Sequence, residues 1–156
     1  MDIPVHSAAA QRNSRAKPSS SSSHRDTCVV LDVLENDPEF GMRSAQLLEG
    51  KFAEGLGICP VTQVELAPAF GGDLDHQKRF LGLAGIDFHR AWTLADTEAA
   101  HQAWHLHVAA RRSGTLAKRP IADILIGAFA SNRRGLITRN PHDFRTSFPS
   151  LQILVP

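Results

Sequence analysis

A chain of 156 residues, 42% hydrophobic and 21% charged, has the composition of a globular domain with a buried core, and its length favours one domain plus a tail. No run of 18 or more apolar residues occurs, which argues against a membrane span. Two cysteines, Cys28 and Cys59, form neither a disulfide framework nor a Cys-x-x-Cys metal pair. Because this cysteine usage favours a reducing compartment, we expect a cytoplasmic protein.

The net charge of +1 is unevenly distributed along the chain. Residues 111–156 carry eight basic residues against two acids, Asp123 and Asp143, which gives this region a charge of +6. A basic field around a few acids suits a polyanion drawn towards a metal-loaded carboxylate cluster. A solvated charged face is the alternative.

Residues 1–25 are rich in serine, alanine and arginine and include five consecutive serines. They have too few large apolar groups to bury, so we predict a disordered tail over 1–25 and a folded domain over 26–156. A non-native start and an organellar transit peptide are alternatives for the tail.

The first half of the domain reads as helices separated by short strands. Asp26 is placed to cap an apolar helix, and an amphipathic helix is predicted over 38–54. A strand over 57–61 precedes a helix that begins at Thr62, because Thr62 and Glu65 match a capping box. Further helices are predicted over 73–84 and 97–112, with a short strand or extended connection over 86–92 between them.

The stretch 119–144 has the clearest pattern in the chain. Pro120 suits a first helical position, and an apolar stripe follows at helical spacing, made of Ile121, Ile124, Leu125, Ala128 and Phe129. Asp123 lies in the first turn, beside Gly127 and Ala130, which are expected to leave open space above it. A strand over 135–139 is followed by Asn140, a candidate N-cap, and by Asp143; a last strand is predicted over 151–155.

Strands alternating with long helices predict an α/β fold, a three-layer α/β/α arrangement with a central parallel sheet of four or five strands. In such a sheet the helix starts that follow the strands meet at one edge, which is where ligands bind. Four acids are predicted in the first turns of helices: Asp26, Glu65, Asp123 and Asp143. Helix capping is the simpler role for each acid alone.

Gathered at one edge, these carboxylates would repel one another unless a cation joined them. Ligands that are oxygen atoms, without cysteine or converging histidine, favour Mg²⁺ or Mn²⁺ over zinc. Such a site can activate water and stabilise the leaving oxygen of a phosphodiester. His101 and His105 have the i, i+4 spacing of a zinc pair, but Gln102 replaces the glutamate of the metalloprotease motif, so we expect ordinary solvated or packed histidines. His142, next to the acidic edge, is a candidate substrate contact.

Residues 26–156 resemble the PIN-domain ribonucleases and, within them, the VapC-type toxins of bacterial toxin-antitoxin pairs. The resemblance rests on Asp-Thr-Cys-Val-Val-Leu at 26–31, Cys-Pro-Val-Thr-Gln-Val-Glu-Leu at 59–66, Ile-Ala-Asp-Ile-Leu-Ile-Gly-Ala at 121–128 and Leu-Ile-Thr-Arg-Asn-Pro-His-Asp-Phe at 136–144. It implies Asp26, Glu65, Asp123 and Asp143 as catalytic residues, with Asp26, Asp123 and Asp143 as metal ligands. It leaves Asp32 on a helix surface. Thr27, Thr138 and Asn140 would support the site.

The resemblance also implies Mg²⁺-dependent endonucleolytic cleavage of RNA, a homodimer, and neutralisation by an antitoxin protein that covers the acidic pocket. The nearby arginines would hold the RNA backbone: Arg119, Arg133, Arg134 and Arg139.

Two departures from the family pattern support a second hypothesis, a PIN-like binding module or antitoxin decoy without catalysis. Cys28 occupies the position where the family has asparagine, and serines replace the apolar first strand before Asp26. A third hypothesis, a haloacid-dehalogenase-like phosphohydrolase, requires an Asp-x-Asp pair after a strand. Asp73-Leu74-Asp75 has the letters, but it follows two glycines.

Overall fold

The computed structural model of the protein describes residues 23–25, 27–114 and 121–156. Within these ranges, five short strands form one parallel sheet in the order β3-β2-β1-β4-β5. They are β1 Ser23–Arg25, β2 Leu56–Ile58, β3 Ile86–Asp87, β4 Leu136–Ile137 and β5 Ile153–Leu154. The α/β class and the parallel sheet predicted from the sequence are therefore confirmed.

The α-helices of the described residues are α1 Thr27–Leu34, α2 Gly41–Lys51, α3 Pro60–Glu65, α4 Leu74–Leu83, α5 Leu94–Arg112, α6 Ile121–Ser131 and α7 Pro141–Arg145. Two short 3-10 helices, Phe52–Glu54 and Ala67–Phe70, follow α2 and α3. The helix predicted over 38–54 is therefore shorter than expected, because α2 ends at Lys51 and a 3-10 helix follows it. Among the described helices, none is both long and apolar enough to cross a bilayer.

Helices cover both faces of the sheet, as the two residues of β4 show. Leu136 packs in a buried cluster with Phe129 of α6 and Phe144 of α7. Its neighbour Ile137 packs on the other side with Val29 of α1 and Leu48 of α2. Because successive strand residues point to opposite faces, the sheet lies between these two helical layers.

The central strand, β1, has the sequence Ser-His-Arg, which contains none of the residue types enriched in strands. Residues 23–25 were assigned to a disordered tail, but they form β1, in register with β2 on one side and β4 on the other. The predicted boundary at residue 26 is therefore wrong by at least three residues; the rest of the predicted tail lies outside the described residues. A strand between two partners is held by backbone hydrogen bonds on both edges, which do not depend on side-chain type.

The space above Asp123 is also not what the sequence predicted. Gly127 and Ala130 are buried, and a Cβ atom at Gly127 would lie 2.3 Å from Cε2 of Phe148 and 3.2 Å from Cδ1 of Phe144. Gly127 therefore lets two aromatic rings approach α6 closely, and the expected open space is filled by the core.

Candidate active site at the carboxyl edge of the sheet

The strand order creates a switch point at β1, because β2 and β3 lie on one side of it and β4 and β5 on the other. The chain leaves β1 into α1, β2 into α3 and β4 into α7. All strands are parallel, so these three exits lie at the same carboxyl edge. In open α/β sheets, ligands bind outside the carboxyl ends of the strands at such a switch point.

Thr27 and Glu65 meet at this edge. The Thr27 hydroxyl donates a hydrogen bond to Oε2 of Glu65, and it thereby joins the start of α1 to the end of α3. The predicted capping box was wrong: Cys59, not Thr62, is the N-cap of α3, and its Sγ accepts from the Val61 amide at 3.2 Å. The helix begins two residues early because Pro60 takes a first-turn position, where its missing N–H costs nothing. Glu65 is consequently the last residue of α3 and is not in its first turn.

Asp123 lies in the first turn of α6, as predicted. This helix of 11 residues is about 16 Å long and ends shortly before β4 begins. Its C-terminus therefore lies towards the amino edge of the sheet and its first turn towards the carboxyl edge. Contacts of α6 with α3 and with α7 agree with this placement, and Asp123 is half-buried.

The turn after β4 positions the last motif. Thr138 is fully buried; its amide donates to the carbonyl of Leu154 at 3.0 Å, and its Oγ1 accepts from the Asn140 amide at 3.0 Å. Asn140 occupies the N-cap position of α7, although among the described residues its side chain makes no capping hydrogen bond. Asp143 lies in the first turn of α7 and is half-buried.

The donor set at this edge has the right chemistry for Mg²⁺, because Glu65, Asp123 and Asp143 offer only carboxylate oxygens. Among the described residues, however, no group of three or more histidine, cysteine, aspartate or glutamate side chains could hold a metal ion. Asp26, which immediately precedes Thr27, lies outside the described residues. The metal site therefore stays a prediction, because its proposed ligand set is complete only with Asp26.

Arg133, predicted as an RNA contact, lies buried in an ion pair and not on the surface. Its Nη1 lies 2.7 Å from Oδ1 of Asp96, and the side chains of Arg133 and Asp96 are 8% and 0% exposed. The guanidinium also lies 3.3 Å from the ring centroid of Phe129. Asp96 belongs to the capping box that starts α5, so the arginine joins α5 to the end of α6.

Arg134 is exposed, but it lies at the wrong edge for the candidate site. It precedes β4, and its Nη1 is 3.4 Å from Oε2 of Glu54, which precedes β2. Both residues therefore lie at the amino edge, opposite the carboxylates. Arg119 lies outside the described residues.

Arg139 is at the correct edge but is already paired. Its Nη1 lies 3.2 Å from Oδ1 of Asp32, and its guanidinium is 4.7 Å from the ring centroid of Phe40. Asp32, predicted on a helix surface, is only 2% exposed and accepts a 2.8 Å hydrogen bond from Ser44. The prediction failed because α2 packs over that face of α1.

An apolar groove of about 470 Å³ lies beside the first turn of α6 and was not predicted. Its walls include Pro60, Trp92, Trp104, Ile121 and Leu125. Because the walls are apolar, the groove does not suit a phosphate backbone, and RNA is not expected to lie in it.

The structure does not favour the other chemistries considered from the sequence. His101 and His105 are exposed on α5, and His142 is exposed on α7. Asp73 caps α4 by accepting from the His76 amide at 2.9 Å, and it follows a 3-10 helix instead of a strand. The Asp-x-Asp sequence at 73–75 therefore does not follow a strand, as the nucleophile of such a phosphohydrolase would.

Comparison with known proteins supports the fold alone. No protein-family model and no curated protein matches the sequence. The structure is similar to a chain in the crystal structure of VapBC2 from Rickettsia felis bound to a DNA fragment from their promoter, with a TM-score of 0.58 and 16% sequence identity. The match covers 86% of this chain and 98% of that chain. At this identity the similarity establishes a common fold with that solved chain.

Proposed function

We propose that the protein is a Mg²⁺-dependent endoribonuclease with a PIN-like fold that acts as the toxin of a toxin-antitoxin pair. The observation that carries the proposal is the hydrogen bond from Thr27 to Glu65. It joins the first and second motifs of the family resemblance through two residues that are 38 positions apart in the sequence. Asp123 and Asp143 start α6 and α7, whose first turns point to the same edge. The fold similarity to a VapBC2 chain is a second, independent support.

In the proposed reaction, water attacks phosphorus in line and the bond to the leaving oxygen breaks. Asp26, Asp123 and Asp143 would hold Mg²⁺, which when bound lowers the pKa of a water molecule and offsets the charge of the phosphodiester. Glu65, oriented by the Thr27 hydroxyl, would accept the proton of the attacking water. Thr138 and Asn140 hold the turn that carries Asp143.

The partners of the proposed toxin are RNA, an antitoxin protein and a second copy of the chain. Of the four arginines first considered for RNA, Arg133 and Arg134 are excluded by burial and by position. Arg145, exposed on α7, is the RNA contact proposed near the carboxyl edge, because Arg139 is already paired with Asp32. The proposed place of action is the cytoplasm.

The deciding experiment is cleavage of single-stranded RNA by the purified full-length chain. We expect cleavage with Mg²⁺ or Mn²⁺, its loss with EDTA, and a loss of at least about 100-fold in Asp123→Asn. Asp75→Asn is the matched control, because Asp75 also lies in the first turn of a helix but is exposed on α4. Equal cleavage by wild type and Asp123→Asn would contradict the proposal.

A catalytically inactive binding module is the second candidate, favoured by Cys28 at the family's asparagine position. Under this alternative, the wild-type chain would bind an antitoxin but leave RNA intact at every metal concentration. Cys28→Asn would then be expected to restore cleavage if that single residue had abolished it.

A further inference from the structure

The turn after β4 is anchored to α1 by a charge pair that no motif predicted. Arg139 lies between Thr138 and Asn140, two residues proposed to support the site. Its guanidinium reaches Asp32, four residues along α1 from Cys28, so both α1 residues lie on one helical face. Burial lowers the pKa of Arg139. Hydrogen bonding to Cys28 and the charge of Asp32 raise it by more, so the net pKa of Arg139 is above its ordinary value.

Asp32 is held in place from both sides. It is 2% exposed, and its two oxygens are divided between partners: Oδ2 accepts from Ser44 of α2 at 2.8 Å, and Oδ1 faces Arg139 at 3.2 Å. The ring of Phe40 covers the guanidinium. A buried carboxylate with these fixed partners has little freedom to move, so it fixes Arg139 in turn.

The pair bridges the switch point of the sheet. Thr27 and Asp32 both belong to α1, which follows β1, and Arg139 follows β4, the neighbour of β1. On its other side, the turn is tied to β5 through the amide of Thr138. The Asp32–Arg139 pair is therefore placed to set the distance between the Thr27–Glu65 side of the site and the Asn140–Asp143 side.

We propose that Asp32 and Arg139 are positioning residues of the candidate active site: the pair, buried at its Asp32 end, holds the turn of Thr138 and Asn140 against α1. This inference rests on the proposed ribonuclease function for its catalytic consequence. It assigns Arg139 to the alignment of the site and not to the binding of phosphate.

The kinetic test uses Asp32→Asn, Arg139→Gln and the double variant on an RNA oligonucleotide. We expect each single variant to lower kcat by about 10- to 100-fold with little change in KM, the effect typical of residues that orient site ligands. The double variant should be no worse than either single variant, because both remove one interaction. Glu54→Gln, which removes a paired carboxylate at the opposite edge, should leave kcat unchanged.

The alternative, direct phosphate binding by Arg139, predicts the reverse pattern. Arg139→Gln would then raise KM, and Asp32→Asn would leave kcat unchanged because it frees the arginine. That result would overturn the inference. If Asp32→Asn does not fold, Arg139→Lys is the deciding variant. A lysine can replace the single contact to Asp32, so Arg139→Lys should recover most of the kcat lost in Arg139→Gln. A kcat of Arg139→Lys as low as that of Arg139→Gln would overturn the inference.

A second readout does not need activity. The Asn140 amide, which donates to Oγ1 of Thr138, should exchange its proton at least about tenfold faster in Arg139→Gln, while amides of α5 keep their rates. Unchanged exchange at Asn140 would overturn the inference. If the wild type cleaves no RNA, the proposed function fails, and this exchange measurement alone decides whether the pair holds the turn.

Discussion

Arg133 and Asp96 form a buried ion pair, with Nη1 of the arginine 2.7 Å from Oδ1 of the aspartate, across 37 residues of sequence. Asn132 also donates to Oδ1 of Asp96, at 3.0 Å. The pair fixes the start of α5 against the end of α6, and α6 carries Asp123. A residue that looked like an RNA contact in the sequence is therefore part of the scaffold that places a candidate ligand.

Asp96→Asn is expected to destabilise the fold strongly, because it leaves the Arg133 charge buried without its partner. We expect the free energy of unfolding to fall by about 3–5 kcal/mol, measured by urea denaturation. The control is Asp87→Asn, which breaks a partly exposed pair with Arg90 and should cost at most about 1 kcal/mol. Equal losses in the two variants would show that burial does not strengthen the Arg133 pair.

The same pair predicts how stability depends on pH. Burial raises the pKa of Asp96, but hydrogen bonds from Arg133, Thr93 and Asn132 outweigh it, and the net pKa is below its ordinary value. The stabilisation is therefore present above about pH 4, the unfolded-state value, and is lost as the pH falls through the lower folded-state pKa.

The measurement is the difference in unfolding free energy between wild type and Asp96→Asn from pH 6 to pH 2.5. This difference should be constant above about pH 5 and should shrink below about pH 4. A difference that grows as the solution is acidified would contradict the direction of the pKa shift.

Thr27→Ala should impair RNA cleavage with a small effect on folding. It removes the hydroxyl that donates to Glu65, so we expect kcat to fall by about tenfold or more. Stability should change by about 1 kcal/mol or less, because one half-exposed hydrogen bond is lost. Thr27→Ser keeps the hydroxyl and should retain most activity. A Thr27→Ser variant as impaired as Thr27→Ala would mean that loss of the hydrogen bond to Glu65 does not cause the fall in kcat.

Gly127→Ala should destabilise the protein although alanine is the better helix former. The added methyl group would lie 2.3 Å from the Phe148 ring, and such overpacking costs about 1–3 kcal/mol. Gly50→Ala is the matched control: Gly50 lies in α2 with open space around it, so alanine there should stabilise by about 0.5–1 kcal/mol. Thermal unfolding of the two variants should therefore shift in opposite directions.

Arg134→Gln should leave RNA binding unchanged, whereas Arg145→Gln should weaken it. Arg134 pairs with Glu54 at the amino edge, and Arg145 is exposed on α7, two residues beyond Asp143. Loss of one phosphate contact at the carboxyl edge should reduce the slope of log binding constant against log salt concentration by about 1. Titration of labelled RNA into an inactive Asp123→Asn background at several salt concentrations measures both effects; a weaker complex with Arg134→Gln alone would place RNA at the amino edge.

The α/β class, the helix that carries Asp123 and the strand-turn-helix unit that carries Asp143 could be predicted from the sequence. Their signals are local: an apolar stripe at helical spacing, and a proline in the first turn of a helix after a short apolar strand. Chain order also predicts that Asp123 and Asp143 come towards one edge, because parallel strands leave little freedom in the connections. The start of α3 was wrong by two residues because Thr62 and Glu65 matched a capping pattern that Cys59 and Pro60 displaced.

The sequence by itself determined the helical segments that carry Asp123 and Asp143 and the first-turn positions of these two acids, since both depend on neighbours within one or two turns. Only the tertiary structure decided that residues 23–25 form the central strand, that Asp32 and Arg133 are buried in ion pairs, and that Phe148 fills the space at Gly127. Each of these outcomes depends on a partner distant in sequence: strand pairing, burial and charge pairing gain their free energy from contacts that no local pattern contains.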